Sequence, residues 1–363
     1  MKSGTLTFHR TTNYGAVFQT YALQQCLIKM GIENEVVDYR SPILEERYRK
    51  KSPLFYLRPK QLAKVVLQNA YIRDNRKSFM EFSQKNIIIS ADEYDPDNII
   101  IANEKYDCFI VGSDQVWNGE CMGWDPVFLL SFAETGKKNS YAASFGMTTL
   151  DPDKEQWYKE LFQDYSHVSV REDSGRELFE RLSGKTAYTV LDPTLLLDKR
   201  DWSLLASSVP SQMKQPYIVL YLLKETKSII SMARSISKRY KMPVVYINDR
   251  LIRKKGVINR FYTTPYEWLN LFYNAAFVLT NSFHGTAFSI NFNIPFAVQL
   301  LPPPSKVNSR ITDLLEMCHC THRIIDNEKE ISMQMDFEIV NNVIKEQRVL
   351  SKSFISSIFS EEI

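Results

Sequence analysis

The chain has 363 residues, 44% of them apolar and 24% charged, with a net charge of +3, which is the make-up of a globular protein with room for two cores. Near-balanced charge argues against nucleic acid as the main partner, and no run approaches the roughly 18 apolar residues that cross a bilayer. The five cysteines are odd in number and widely spread, so they form no disulfide framework. Met1-Lys2-Ser3-Gly4-Thr5-Leu6-Thr7 has neither a long apolar stretch nor a cleavage signal, so a cytoplasmic protein is expected.

Strands and helices alternate from the start. Gly4 to Phe8 reads as a strand, His9 to Gly15 as a polar turn, Ala16 to Met30 as a helix stopped by Gly31, and Glu35 to Tyr39 as a second strand. Such a βαβ opening favours a parallel sheet. Residues 44–90 interrupt it with a basic, aromatic, helical insertion. Strands resume at Tyr106 to Val111, Asn139 to Ala143, His167 to Val170 and Thr186 to Val190, and residues 198–215 read as a connection. A second set follows: a strand at Tyr217 to Leu222, a helix over Ser228 to Tyr240, a strand at Pro243 to Ile247 and a helix near Pro265 to Asn274. The run Ala275 to Thr280 then leads through a turn into a helix, and Ile294 to Leu300 closes the set. Pro302-Pro303-Pro304 breaks the chain, and the rest reads as helices. The expected architecture is two doubly wound α/β domains, 1–200 and 215–330, with C-terminal helices over 331–363. Ligands of such sheets bind beyond the carboxyl ends of the strands.

Four polar turns fall at those ends. In Asn281-Ser282-Phe283-His284-Gly285-Thr286, a helix start offers N–H groups to an anion, and His284 can move a proton. In Gly112-Ser113-Asp114-Gln115-Val116-Trp117-Asn118, an acid, two amides and an indole suit sugar hydroxyls and a flat apolar face. Arg171 at a strand end suits capture of phosphate or carboxylate. The fourth turn carries Asn13 and Tyr14, and Arg310 is a further cation able to reach the cleft. Taken singly, each has a structural reading: Asp114, Asn118 and Asn13 as caps, Arg171 as an ion-pair partner, His284 as a core residue. Cys318-His319-Cys320-Thr321-His322 lacks the ligand spacing of a zinc site, so no metal is expected. Glycine-rich dinucleotide and phosphate loops and the nucleophile elbow are also missing. Between Arg47 and Lys77 stand ten Lys and Arg and one acid, a surface for peripheral contact with an anionic membrane or a solvated helical face.

Six motifs in order, from about residue 4 to about residue 320, resemble the polysaccharide pyruvyl transferase family. They are Thr7-Phe8-His9-Arg10 with Asn13-Tyr14-Gly15-Ala16, Phe109 to Asn118, Tyr141 to Gly146, Val170-Arg171-Glu172-Asp173, Asp192 to Leu196, and Ser282-Phe283-His284-Gly285. The resemblance implies a GT-B-like fold with its active site in the interdomain cleft. It implies transfer of pyruvate from phosphoenolpyruvate, a co-substrate with no separate cofactor, to two hydroxyls of a saccharide. On it, His284 is the acid/base and Asp114 orients or deprotonates an acceptor hydroxyl. Arg171, Ser282, Gly285, Thr286 and Arg310 lie on the donor side; Asn13, Tyr14, Gln115, Trp117 and Asn118 lie on the acceptor side. Ser282 stands where one form of the motif has arginine, leaving Arg310 or Arg10 to replace that cation. The expected acceptor is a polysaccharide or its lipid-linked repeat-unit precursor, and the basic stretch would suit a lipid carrier at the inner membrane face. Two other readings stay open: a GT-B glycosyltransferase using a nucleotide sugar, and a carbohydrate-binding protein without catalysis.

Overall fold

The computed structural model describes residues 1–47, 59–248, 252–302, 308–326 and 331–360, with side chains left out for 47–68. The first sheet contains β1 (Lys2–Leu6), β2 (Glu33–Tyr39), β3 (Ile89–Tyr94), β4 (Cys108–Val111), β5 (Lys138–Ala143), β6 (Tyr165–Val170) and β7 (Tyr188–Thr189), ordered β3-β2-β1-β4-β5-β6-β7. The second contains β8 (Ile218–Tyr221), β9 (Val244–Ile247), β10 (Ile258–Arg260), β11 (Phe277–Thr280) and β12 (Phe296–Val298), ordered β10-β9-β8-β11-β12. Every neighbouring pair in both sheets is parallel. Central strands are apolar without alternation, as in Cys-Phe-Ile-Val of β4 and Phe-Val-Leu-Thr of β11, because helices cover both faces.

Strand order reverses at β1/β4 in one sheet and at β8/β11 in the other. The loops leaving these four strands therefore open side by side at the carboxyl edges, where a ligand crevice forms. They hold Thr7–Asn13, Gly112–Asn118, Leu222–Thr226 and Asn281–Ser282.

The Tyr14–Lys29 helix ties the halves together. Asn13 caps it by accepting from the Ala16 N–H at 3.3 Å. Its first turns carry Tyr14, stacked on Trp268 at 5.6 Å, and Phe18, edge-on to Phe288 at 5.4 Å, so one apolar core runs through both domains. Full burial of the Phe18 ring stabilises the fold by roughly 1.5–3 kcal/mol. The Glu338–Phe359 helix returns to the first domain, where Ser351 Oγ accepts the Leu191 N–H at 3.0 Å. Arg348 on the same helix binds the Leu195 carbonyl at 2.5 Å and Asn291 Oδ1 at 3.0 Å.

Two strands differ from the sequence reading. The stretch assigned wholly to an insertion ends in edge strand β3, and β10 is a three-residue edge strand. The rest of the insertion contains a 28-residue helix, Pro59–Asn86. The connection at 198–215 contains the Lys199–Ala206 helix, closed by a capping box between Asp198 and Asp201. Among the described residues, no helix is long and apolar enough to cross a membrane.

Candidate active site

β11 runs directly into the Phe283–Phe292 helix, which is buried along its whole length. Ser282 caps it, its Oγ accepting the Gly285 N–H at 3.4 Å and its carbonyl the Thr286 N–H at 3.0 Å. Gly285 must be small, since a Cβ there would sit 2.4 Å from Thr280 Oγ1. The turn swings His284 toward the other domain, and its ring lies against Gly15 at the start of the Tyr14–Lys29 helix. His284 Nε2 is 3.7 Å from Asp192 Oδ2, an ion-pair distance too long for a hydrogen bond, and that nitrogen is buried with no hydrogen-bond partner among the described residues.

Asp192 is fully buried and organises the cluster. Its Oδ2 accepts from Arg171 NH1 at 2.9 Å and from Ser113 Oγ at 3.0 Å, while Oδ1 accepts from the Thr194 N–H at 2.9 Å and Oγ1 at 2.6 Å. Burial works against the Asp192 charge, but His284, Arg171 and Thr194 outweigh it and hold the carboxyl far below the usual range. Arg171 also lies over the Phe283 ring at 4.6 Å, with Asp114 and Glu172 oxygens each at 3.8 Å. Burial opposes its charge too, yet Asp192, Glu172 and Asp114 raise its pKa above the ordinary value. Arg171 Nε and NH2 are buried with no hydrogen-bond partner among the described residues.

Arg310, on the Ser309–Met317 helix, reaches the same place. It makes no ion pair among the described residues, and its Nε is buried and unpartnered. Burial and the neighbouring Arg171 charge push its pKa down to about 10, against the pull of Glu172, Asp114 and Cys121. Two buried guanidiniums and an imidazole thus leave Arg171 Nε and NH2, Arg310 Nε and His284 Nε2 unmatched. A buried donor without an acceptor costs about 1–3 kcal/mol, and such a set is built to receive an anion.

Beside the cluster opens a cavity of about 390 Å³ at the ends of β1, β4, β8 and β9. That volume falls in the range of small-ligand sites. Asp114 stands at the junction, lining the cavity and facing Arg171. Its backbone is left-handed, φ 74°, pinned where its carbonyl accepts the Ser144 and Val116 N–H groups.

Asn13, Tyr14 and Gln115 line this cavity, and the structure brings them together with Asp114. Trp117 and Asn118 do not line it. Trp117 is wholly buried among Phe145, Phe162 and Phe179, so the indole face expected to meet a sugar is core packing. Asn118 caps the short helix after it and donates to Gln115 Oε1 at 3.0 Å. The Gly285 and Thr286 N–H groups, expected to face an anion, are used by Ser282 in the cap. Arg10 is paired with Asp38 at 3.0 Å and Glu45 at 2.9 Å, which leaves Arg310 as the cation nearer the cluster. Sequence reasoning gave no role to Asp192; the signal was an acid directly after a strand in Asp-Pro-Thr. Cys318 and Cys320 are buried, with Cys320 Sγ donating to the Cys318 carbonyl at 3.1 Å.

None of the curated protein sequences matches the chain. Among solved structures it is similar to a UDP-N-acetylglucosamine 2-epimerase from Rickettsia bellii, with TM-score 0.51 and 12% identity over 99% of this chain and 96% of that one. It is also similar to a candidate UDP-N-acetylglucosamine 2-epimerase from Listeria monocytogenes, with TM-score 0.50 and 11% identity over 97% and 90%. Identities this low speak for the fold alone, two facing Rossmann-like domains in the GT-B arrangement. The model of the family described as polysaccharide pyruvyl transferase matches residues 13–298, most of the chain including Asp114, Arg171, Asp192 and His284. By this match, the chain belongs to the polysaccharide pyruvyl transferase family.

Proposed function

We propose that this protein transfers pyruvate from phosphoenolpyruvate to two hydroxyls of a saccharide, closing a cyclic ketal. The observation that carries the reading is the bank of unmatched donors on Arg171, Arg310 and His284, joined through Asp114 to a cavity large enough for a sugar. Phosphoenolpyruvate brings a carboxylate and a phosphate, and two guanidiniums can hold one each. His284 Nε2 donates its proton to the methylene carbon, which becomes a methyl group as positive charge develops on the adjacent carbon. An acceptor hydroxyl adds there and gives its proton to Asp114. The carbon–oxygen bond to phosphate then breaks, inorganic phosphate leaves between the arginines, and the second hydroxyl closes the ring as its proton passes to phosphate. One phosphoenolpyruvate and one diol give one ketal and one phosphate.

The test uses methyl hexopyranosides with free 4- and 6-hydroxyls. Incubated with phosphoenolpyruvate and the protein, an acceptor should yield phosphate and one new ketal methyl signal in equal amounts, and His284→Ala should lower both to background. Consumption of a nucleotide sugar with no ketal would instead support a glycosyltransferase.

In the same reading, the natural acceptor is a polysaccharide repeat unit on a lipid carrier at the inner membrane face. Most side chains of the basic stretch 47–77 lie outside the described residues. Of the rest, Arg73 pairs with Asp74, Arg76 with Glu45 and Lys77 with Glu81. Co-sedimentation with anionic vesicles at low salt tests the membrane contact, and no binding would remove it.

A further inference from the structure

The Pro59–Asn86 helix, read from sequence as a basic surface, supplies a wall of the cavity. Tyr71 and Asn75 stand four residues apart, hence on one helix face, and both line the space. The Tyr71 ring is held from across the cleft by Tyr262, at 5.0 Å and 55°. The Asn75 side-chain amide has no hydrogen-bond partner among the described residues.

Other lining residues match them. Gln115 Oε1 accepts from Asn118 Nδ2 at 3.0 Å and from Cys121 Sγ at 3.7 Å, and its NH2 group has no acceptor among the described residues. Asn13 Oδ1 is taken by the Ala16 N–H, with the same result. Three side-chain amides therefore offer NH2 donors around one cavity, beside an aromatic ring. A pyranose ring matches that set: its C–H face packs on an aromatic ring while its hydroxyls accept from amides.

We infer that Tyr71 and Asn75 form a saccharide subsite and select the acceptor. The inference rests on reading the cavity as the acceptor site. Both residues are half-buried, and His284, Arg171 and Arg310 do not line the cavity they share, so their substitution leaves the donor site intact.

The experiment is saturation-transfer NMR with methyl β-D-glucopyranoside, galactopyranoside and mannopyranoside, with the phosphoenolpyruvate thermal shift as a parallel readout. At least one glycoside should be saturated by the wild-type protein. Binding should weaken about tenfold or more in Tyr71→Ala and in Asn75→Ala, return in Tyr71→Phe, and leave the phosphoenolpyruvate shift unchanged. Unaltered saturation in both alanine variants overturns the subsite, as does no saturation of any glycoside by wild type. Displacement of the bound glycoside by UDP overturns it too, giving the cavity to a nucleotide. A missing phosphoenolpyruvate shift in wild type would strike the pyruvyl-donor reading and leave this one standing.

Discussion

Gly15 and His284 touch across the domain boundary: a Cβ on Gly15 would fall 2.0 Å from His284 Nδ1. The glycine belongs to the first helix of one domain and the histidine to the helix after β11 of the other. Packing of the two domains therefore sets the ring in place, and no methyl group fits at residue 15. Gly15→Ala should displace the imidazole by about an ångström and lower turnover about 100-fold, with the fold kept. Steady-state rates beside a melting curve check it. Turnover near wild type would show that the ring position is not critical.

Asp192 links His284 to Arg171, so its removal should be costly twice over. Asp192→Ala leaves Arg171 buried without its hydrogen-bonded partner, and loss of about 3–5 kcal/mol is expected in denaturant unfolding. Asp192→Asn keeps a cap for Thr194 and should lose less. The folded-state pKa of Asp192 is depressed, so its stabilisation is present above the ordinary 3.8 and is lost as pH falls toward the folded-state value. The gap between wild type and Asp192→Asn should therefore narrow below about pH 4.

Arg310 is a buried cation with no ion pair among the described residues, and replacing it by an apolar side chain of similar length removes a desolvated charge. Arg310→Met should melt at the wild-type temperature or above it while binding phosphoenolpyruvate about 10- to 100-fold more weakly. Calorimetric titration separates the two effects. Stability that falls with binding unchanged would mark Arg310 as structural.

Asp313 behaves in the opposite sense to Asp192. Burial raises its pKa from 3.8 to about 6, with Asp173, Glu172 and Glu316 adding to the rise and an Asp173 backbone hydrogen bond opposing it. The charged form is thus disfavoured in the fold: deprotonation costs stability progressively as pH rises from about 4 to about 6, and the cost persists above. Asp313→Asn should raise the melting temperature at pH 7.5 and leave it unchanged near pH 3.5. Equal melting temperatures at both would contradict this.

The central strands were legible because buried parallel strands are continuous apolar runs that need no partner to be recognised, as at β4 and β11. Edge strands were not. In β3 the run Ile-Ser-Ala-Asp-Glu-Tyr exposes three consecutive residues, and β10 is held chiefly by pairing to β9. His284 and Arg171 stood out because polar residues at strand ends are a local signal. Trp117 misled because its ring partners lie 28–62 residues away in sequence and only the fold gathers them. Tyr71 and Asn75 were hidden inside a basic helix whose charge drew the reading outward, while its other face turned to the cleft.

In the proposed reaction, phosphoenolpyruvate binds at Arg171, Arg310 and His284. A thermal-shift titration with phosphoenolpyruvate, run beside UDP and GDP on wild type and Arg171→Ala, tests it most directly, since a ligand that binds only the folded state raises its melting temperature. A rise with phosphoenolpyruvate alone is expected in wild type, and its loss in Arg171→Ala. A rise with UDP or GDP alone, or a phosphoenolpyruvate shift undiminished in Arg171→Ala, would contradict it.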